Sequence, residues 1–144
     1  MKKRIYLAKS SKLIVETRNW MARIRGAGFM VYDWTADPGW ADPTEEKRRT
    51  GALHDLHEVV MANLFWWHCD EETSEGAAVE FGYALAASQM VPASEPIHLA
   101  ISGARAVGHS AFFSLHPTVA ILEREHLDAW VKIISLLGSA KAEQ

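Results

Sequence analysis

Short, nearly unbroken apolar runs alternate along this chain with longer stretches whose apolar residues recur at helical spacing. The runs at 5–8, 29–33, 64–68, 97–101 and 118–122 are bounded by polar residues, glycine or proline, which predicts five buried strands. Residues 12–27 place Leu13, Ile14, Trp20, Met21 and Ile24 toward the core as one helix, and Gly26-Ala27-Gly28 stops it. Thr44 is an N-cap, with Glu45 and Glu46 in the first turn, for a helix reaching about residue 63. Further helices are expected over 75–88, briefly near 110–114, and over 123–137. The run Leu64-Phe65-Trp66-Trp67-His68 has no polar alternation, as a central parallel strand covered on both faces requires. Alternation of strand and helix predicts an α/β fold, a five-stranded parallel sheet with helices on both faces. Residues 1–138 are expected to form one domain and 139–144 a loose tail. Ligands of such sheets bind outside the carboxyl ends of the strands, where strand order reverses.

Composition narrows the function. A chain of 144 residues with 49% apolar and 23% charged residues supports one domain with one core. The net charge is −3, and the basic residues are spread over 2–12, 18–25 and 47–49, so polymeric nucleic acid is not an expected partner. Cys69 is the sole cysteine, which rules out an intrachain disulfide and suits a reducing compartment. The apolar run 5–8 is too short for a signal segment or a membrane span, so a soluble, cytoplasmic protein is expected. No Gly-x-Gly-x-x-Gly, phosphate-binding Gly-x-x-x-x-Gly-Lys or Gly-x-Ser-x-Gly is present, which weakens dehydrogenase, kinase and serine-hydrolase readings. His54, His57, His68 and Cys69 do not match a common zinc spacing, and neither metal nor cofactor is expected.

The most unusual stretch is residues 74–84. Gly76, Ala77, Ala78, Gly82 and Ala84 make a thin helix that a strand or ligand can approach, at roughly 1 kcal/mol of helix propensity per glycine. Glu80 lies about two turns into it, where the macrodipole favours an ionised carboxylate, and an ionised carboxylate can act as a nucleophile. The pattern Gly-x-x-x-Glu-x-Gly-Tyr-Ala, from Gly76 through Glu80 to Ala84, resembles the signature of the nucleoside 2-deoxyribosyltransferase superfamily. Members cleave the N-glycosidic bond of nucleosides or nucleotides. The resemblance implies a three-layer, Rossmann-like (flavodoxin-like) fold, with Glu80 as catalytic glutamate.

Other positions extend the resemblance. Tyr6 matches a first-strand tyrosine that positions the glutamate, although a core tyrosine would look the same. Asp55-Leu56 stands where the family has its acid or base near the sugar and leaving base; a solvated helix carboxylate is the alternative. Ser74 occupies the position at which the transferases carry an aspartate and the 2′-deoxynucleoside 5′-phosphate N-hydrolases a serine. A hydroxyl beside helix N-terminal amides can donate to a phosphate that a carboxylate would repel. Ser110, in Gly108-His109-Ser110-Ala111, resembles the hydrolases' residue that reaches the phosphate of the neighbouring subunit's ligand. Both serines can equally be helix caps. Ser10 and Lys12 fall where the hydrolases line the phosphate pocket, with Lys9 in place of a glycine. Trp34, with Tyr32 and Trp40, either stacks on a base or packs as a flap over the core.

The implied protein is a homodimer with sites shared between subunits. Its implied activity is hydrolysis of (2′-deoxy)nucleoside 5′-monophosphates to free base and (deoxy)ribose 5-phosphate. Glu80, Asp55 and Tyr6 would be catalytic, and Ser74, Gly76, Ser110, Ser10, Lys12 and Trp34 would bind substrate. Base exchange by a transferase and an inert nucleotide-binding protein are the alternatives.

Overall fold

The computed structural model describes residues 2–37, 44–69, 74–92, 94, 96–103 and 119–121. Its strands are β1 (Arg4–Ala8), β2 (Met30–Val31), β3 (Leu64–His68), β4 (His98–Ser102) and β5 (Val119–Ile121). They form one sheet in the order β2-β1-β3-β4-β5, and every pairing is parallel. The chain leaves β1 for β2 on one side and returns to β3 on the other. The switch point therefore lies between the carboxyl ends of β1 and β3.

Three long helices are described, α1 (Ile14–Gly26), α2 (Glu45–Met61) and α3 (Glu75–Met90). Alternation along β3 assigns them to layers. Trp66 meets Trp20 of α1 edge-on, with centroids 5.7 Å apart. Its neighbours Phe65 and Trp67 pack on Phe81 of α3, at 6.0 Å and 5.8 Å. Successive side chains on a strand point to opposite faces, so α1 and α3 cover opposite faces of the sheet. Helix α2 packs beside α3. All five residues of β3 are buried, as a strand covered on both sides must be.

Most expected elements form, and the differences have local causes. Ser10 caps a single 3-10 turn, Ser11–Leu13, by accepting from the Lys12 amide at 3.3 Å, so α1 begins later than residue 12. It ends at Gly26, with Gly28 at φ 96°, where a side chain would be strained. β2 keeps two of its five expected residues. Asp33 accepts from the Thr35 amide at 3.0 Å and turns the chain into a second 3-10 turn, Trp34–Ala36, which competes with strand continuation. Thr44 caps α2 as expected, accepting from the Lys47 amide. α3 runs two residues past the expected 88, β4 begins and ends one residue later than 97–101, and β5 is three residues long. The helices expected near 110–114 and 123–137, the tail at 139–144, Ser110 and Trp40 lie outside the described residues.

At the carboxyl ends of β3 and β4 the two strands are tied together. The Cys69 amide donates to the Ser102 carbonyl at 2.7 Å. Gly103 follows at φ +99°, and a Cβ there would run into the Cys69 carbonyl. Among the described residues no helix is long and apolar enough to cross a membrane.

Candidate active site

Tyr6 is the third residue of β1 and is 1% exposed. Its ring lies flat on Phe65, with centroids 5.7 Å apart and planes 7° apart. Phe65 in turn receives Phe81, which seats α3 over the junction of β1 and β3. Glu80, one residue before Phe81, is thereby carried beside the Tyr6 hydroxyl. Asp55 comes from α2, the neighbouring helix; its charge acts on Tyr6, and the charge of Glu80 acts on it. The ring of Tyr6 is packed in the core, and its hydroxyl faces the Glu80 carboxyl.

Three polar atoms in this cluster are left over. Tyr6 Oη, Asp55 Oδ1 and Glu80 Oε2 are buried, and none has a hydrogen-bond partner among the described residues. The Tyr6 hydroxyl comes close enough to favour the ionised form of Glu80, yet it falls short of a formed hydrogen bond. Buried polar groups are almost always paired, so three orphans in one cluster mark a place built to meet something else.

Burial dominates the electrostatics. It pushes the Glu80 carboxyl up to about 7, against the smaller opposing pull of the Tyr6 hydroxyl. Desolvation works against the preference of the helix N-terminus for the ionised form. Asp55 is raised further, well above the carboxylate range. Burial is the main cause, followed by a hydrogen bond to Asp37 and the negative charges of Asp37 and Glu80. Tyr6 is held neutral by burial and by the charges of Glu80 and Asp55. Two carboxyls in one site therefore release their protons in a set order, Glu80 before Asp55, which separates a nucleophile from an acid.

The remaining candidates surround this pair unevenly. Ser74 caps α3 by accepting from the Ala77 amide at 3.1 Å, which leaves its own proton free to donate. A Cβ on Gly76 would stand 3.9 Å from Glu80 Oε1 and 4.0 Å from Ser74 Oγ, so all three residues share one side of the helix N-terminus. Among the described residues nothing forbids a side chain at Gly76, so its bareness leaves room beside Glu80. Ser10 and Lys12 occupy the turn that follows β1, with Ser10 4% exposed and Lys12 reaching the surface. Lys9, which stands where the hydrolases have a glycine, buries its side chain and pairs with Glu16 at 3.6 Å.

Trp34 takes the packing role of its two readings. It is 6% exposed, and its Nε1 donates to the Leu7 carbonyl at 2.9 Å, tying the second 3-10 turn to β1. Sequence reasoning missed Asp37, which looks like the start of an Asp-Pro-Gly turn but accepts a hydrogen bond from Tyr32 and bears electrostatically on Asp55.

The sequence matches no family model. No curated protein matches it either. In structure the chain is similar to the CMP N-glycosidase of Clostridium botulinum, with a TM-score of 0.61 at 15% identity over 93% of this chain and 99% of that one. It is also similar to the 2-deoxyribosyltransferase of the psychrotolerant bacterium Bacillus psychrosaccharolyticus, with a TM-score of 0.52 at 17% identity over 69% of this chain and 71% of that one. What identities this low show is the fold, and it is the fold that the resemblance to the nucleoside 2-deoxyribosyltransferase superfamily implied.

Proposed function

We propose that the protein is an N-glycosidase that hydrolyses nucleoside 5′-monophosphates, with 2′-deoxy sugars among its substrates, to free base and (deoxy)ribose 5-phosphate. The observation that carries the reading is the cluster of orphaned polar atoms on Tyr6, Asp55 and Glu80, with Tyr6 on one of the two strands that flank the switch point. It is supported by a fold shared with a CMP N-glycosidase and a 2-deoxyribosyltransferase.

The Glu80 carboxylate attacks the anomeric carbon as the C1′–N bond breaks, and the bond's electron pair leaves on the base. Asp55, still protonated when Glu80 is ionised, gives its proton to the departing base. Asp55 then takes a proton from a water that attacks C1′, which frees Glu80 and restores the starting state. This is the two-carboxylate logic of retaining glycosidases. Tyr6 holds Glu80 in place. Ser74, Ser10 and Lys12 supply donors and charge for the 5′-phosphate at the N-terminus of α3.

The reading includes a homodimer without metal or cofactor, in which Ser110 serves the partner's site. Exposed Val79, Tyr83 and Met90 leave apolar surface on α3 for a second copy. Base exchange is the second reading, favoured by the transferase likeness; Ser74, a hydroxyl where the transferases carry a carboxylate, favours hydrolysis.

The test is incubation with a panel of nucleotides and nucleosides, measuring free base with and without a second base. Release from monophosphates, at a kcat/KM about tenfold or more above the matching nucleosides, is expected from one charge-assisted hydrogen bond. Equal rates for nucleoside and monophosphate, or products that appear only when a second base is present, would overturn hydrolysis of nucleotides.

A further inference from the structure

Asp37 follows the second 3-10 turn and is 9% exposed, and no step above uses it. Its carboxyl is held from three directions. The Tyr32 hydroxyl donates to Asp37 Oδ1. Gly51, on α2, leaves a notch beneath it, since a Cβ there would stand 3.6 Å from both Asp37 Cβ and Asp37 Oδ2. One helical turn beyond Gly51 comes Asp55, on the side of α2 that meets Asp37, and the two carboxyls act on each other. Two carboxyls can share a hydrogen bond only if one keeps a proton, because an ionised carboxylate only accepts. The negative charge of Asp37 disfavours ionisation of Asp55, so Asp55 is the carboxyl that keeps it.

We propose that Asp37, seated in the Gly51 notch and bonded by Tyr32, is a positioning residue that keeps the transferable proton on Asp55. The inference rests on the reading of Asp55 as the acid for the departing base. Asp55 Oδ1 is the orphaned oxygen, so a bond to Asp37 runs through Oδ2. Half a turn about the Cβ–Cγ bond exchanges the two oxygens and presents the proton to the site. Once the base has taken it, Asp37 and Asp55 are adjacent carboxylates. Their repulsion makes Asp55 a stronger base toward the incoming water, and the water's proton restores the shared bond. The other groups facing the pair are Tyr6 of β1, Glu80 of α3 and Glu58 of α2, the last ion-paired with Arg4 at 3.5 Å. The charge of Glu80 acts on Asp55 in the same direction as that of Asp37.

The experiment compares wild type with Asp37→Asn in two readouts. In the kcat/KM profile for base release, the ratio of variant to wild type should fall as pH rises, reaching about a tenfold loss or more by pH 8, because the variant's Asp55 gives up its proton earlier. A loss of the same factor at every pH would mean a merely structural role and overturn the proposal. In the free protein, carbon NMR of the Asp55 carboxyl should show a titration midpoint well above the ordinary range, brought down by about one pH unit or more in Asp37→Asn. An ordinary midpoint in wild type would overturn the proposal even if the variant failed to fold. If wild type releases no base from any nucleotide while Asp37→Asn still lowers the midpoint, the proposed reaction fails and the proton-sharing pair stands.

Discussion

Two buried polar clusters sit against the central strands, on opposite faces of the sheet, and they are finished differently. On the α1 face, Trp66 Nε1 donates to Ser102 Oγ at 2.7 Å, and the same oxygen shares a hydrogen bond with His68 Nδ1 at 2.8 Å. Ser102 is fully buried, and His68 is 8% exposed. On the α3 face, Tyr6, Asp55 and Glu80 each keep a buried oxygen without a partner among the described residues. A satisfied network makes a core specific, whereas an unsatisfied one lowers stability and persists where it serves a ligand. Burial alone therefore does not separate the two faces; satisfaction does.

Exchanging the key atom on the α3 face should have the largest effect. Glu80→Gln keeps the shape and removes the nucleophile, so base release should fall by about a thousandfold or more while the protein stays folded. More than about a tenth of wild-type turnover would take Glu80 out of that role.

The same variant should be more stable than wild type at high pH. Between pH 4.5 and about 7 the unfolded chain has lost the Glu80 proton while the folded protein still binds it, so stability falls as pH rises through that window. Above it the accumulated cost is on the order of 3 kcal/mol, and glutamine escapes it. Urea unfolding at pH 4.5 and pH 8.5 checks this. An equal gain at both values would refute the link to ionisation.

On the α1 face the expectation reverses. Ser102→Ala removes the acceptor for Trp66 and the partner of His68, and should cost about 1–3 kcal/mol of stability while leaving base release within a few-fold of wild type. A collapse of turnover in a folded Ser102→Ala protein would erase the distinction between the faces. On the α3 face, Tyr6→Phe should have a far smaller effect than Glu80→Gln. The hydroxyl pulls the Glu80 pKa down, so its loss should raise the acidic limb of the kcat/KM profile and cut turnover by about tenfold near neutrality. An unmoved limb would show that Tyr6 serves only the core.

The sequence was most legible where one local force decides. The apolar run at 64–68 forms a strand with those bounds, and Thr44 and Ser74 cap the helices they precede, because burial on both faces and an orphan amide leave few alternatives. It was least legible where local forces compete or distant ones meet. β2 stops early because Asp33 offers the backbone a cap. The macrodipole argument for Glu80 had no access to its burial, which depends on Phe65, Phe81 and Tyr6 converging from three elements. Asp37 reads as a turn residue until α2 brings Gly51 and Asp55 against it, and a missing side chain fourteen residues later leaves no mark in a hydropathy pattern.

The junction of Cys69, Ser102 and Gly103 gives the protein a clock. Cys69 carries the chain's single thiol, 3% exposed, beneath a backbone bond and a glycine that admits no side chain. A thiol reagent can reach that buried sulfur only when its surroundings open, so its labelling rate times the local opening around this rim under native conditions. Any molecule that holds the rim shut must slow the labelling, with no need for it to be turned over.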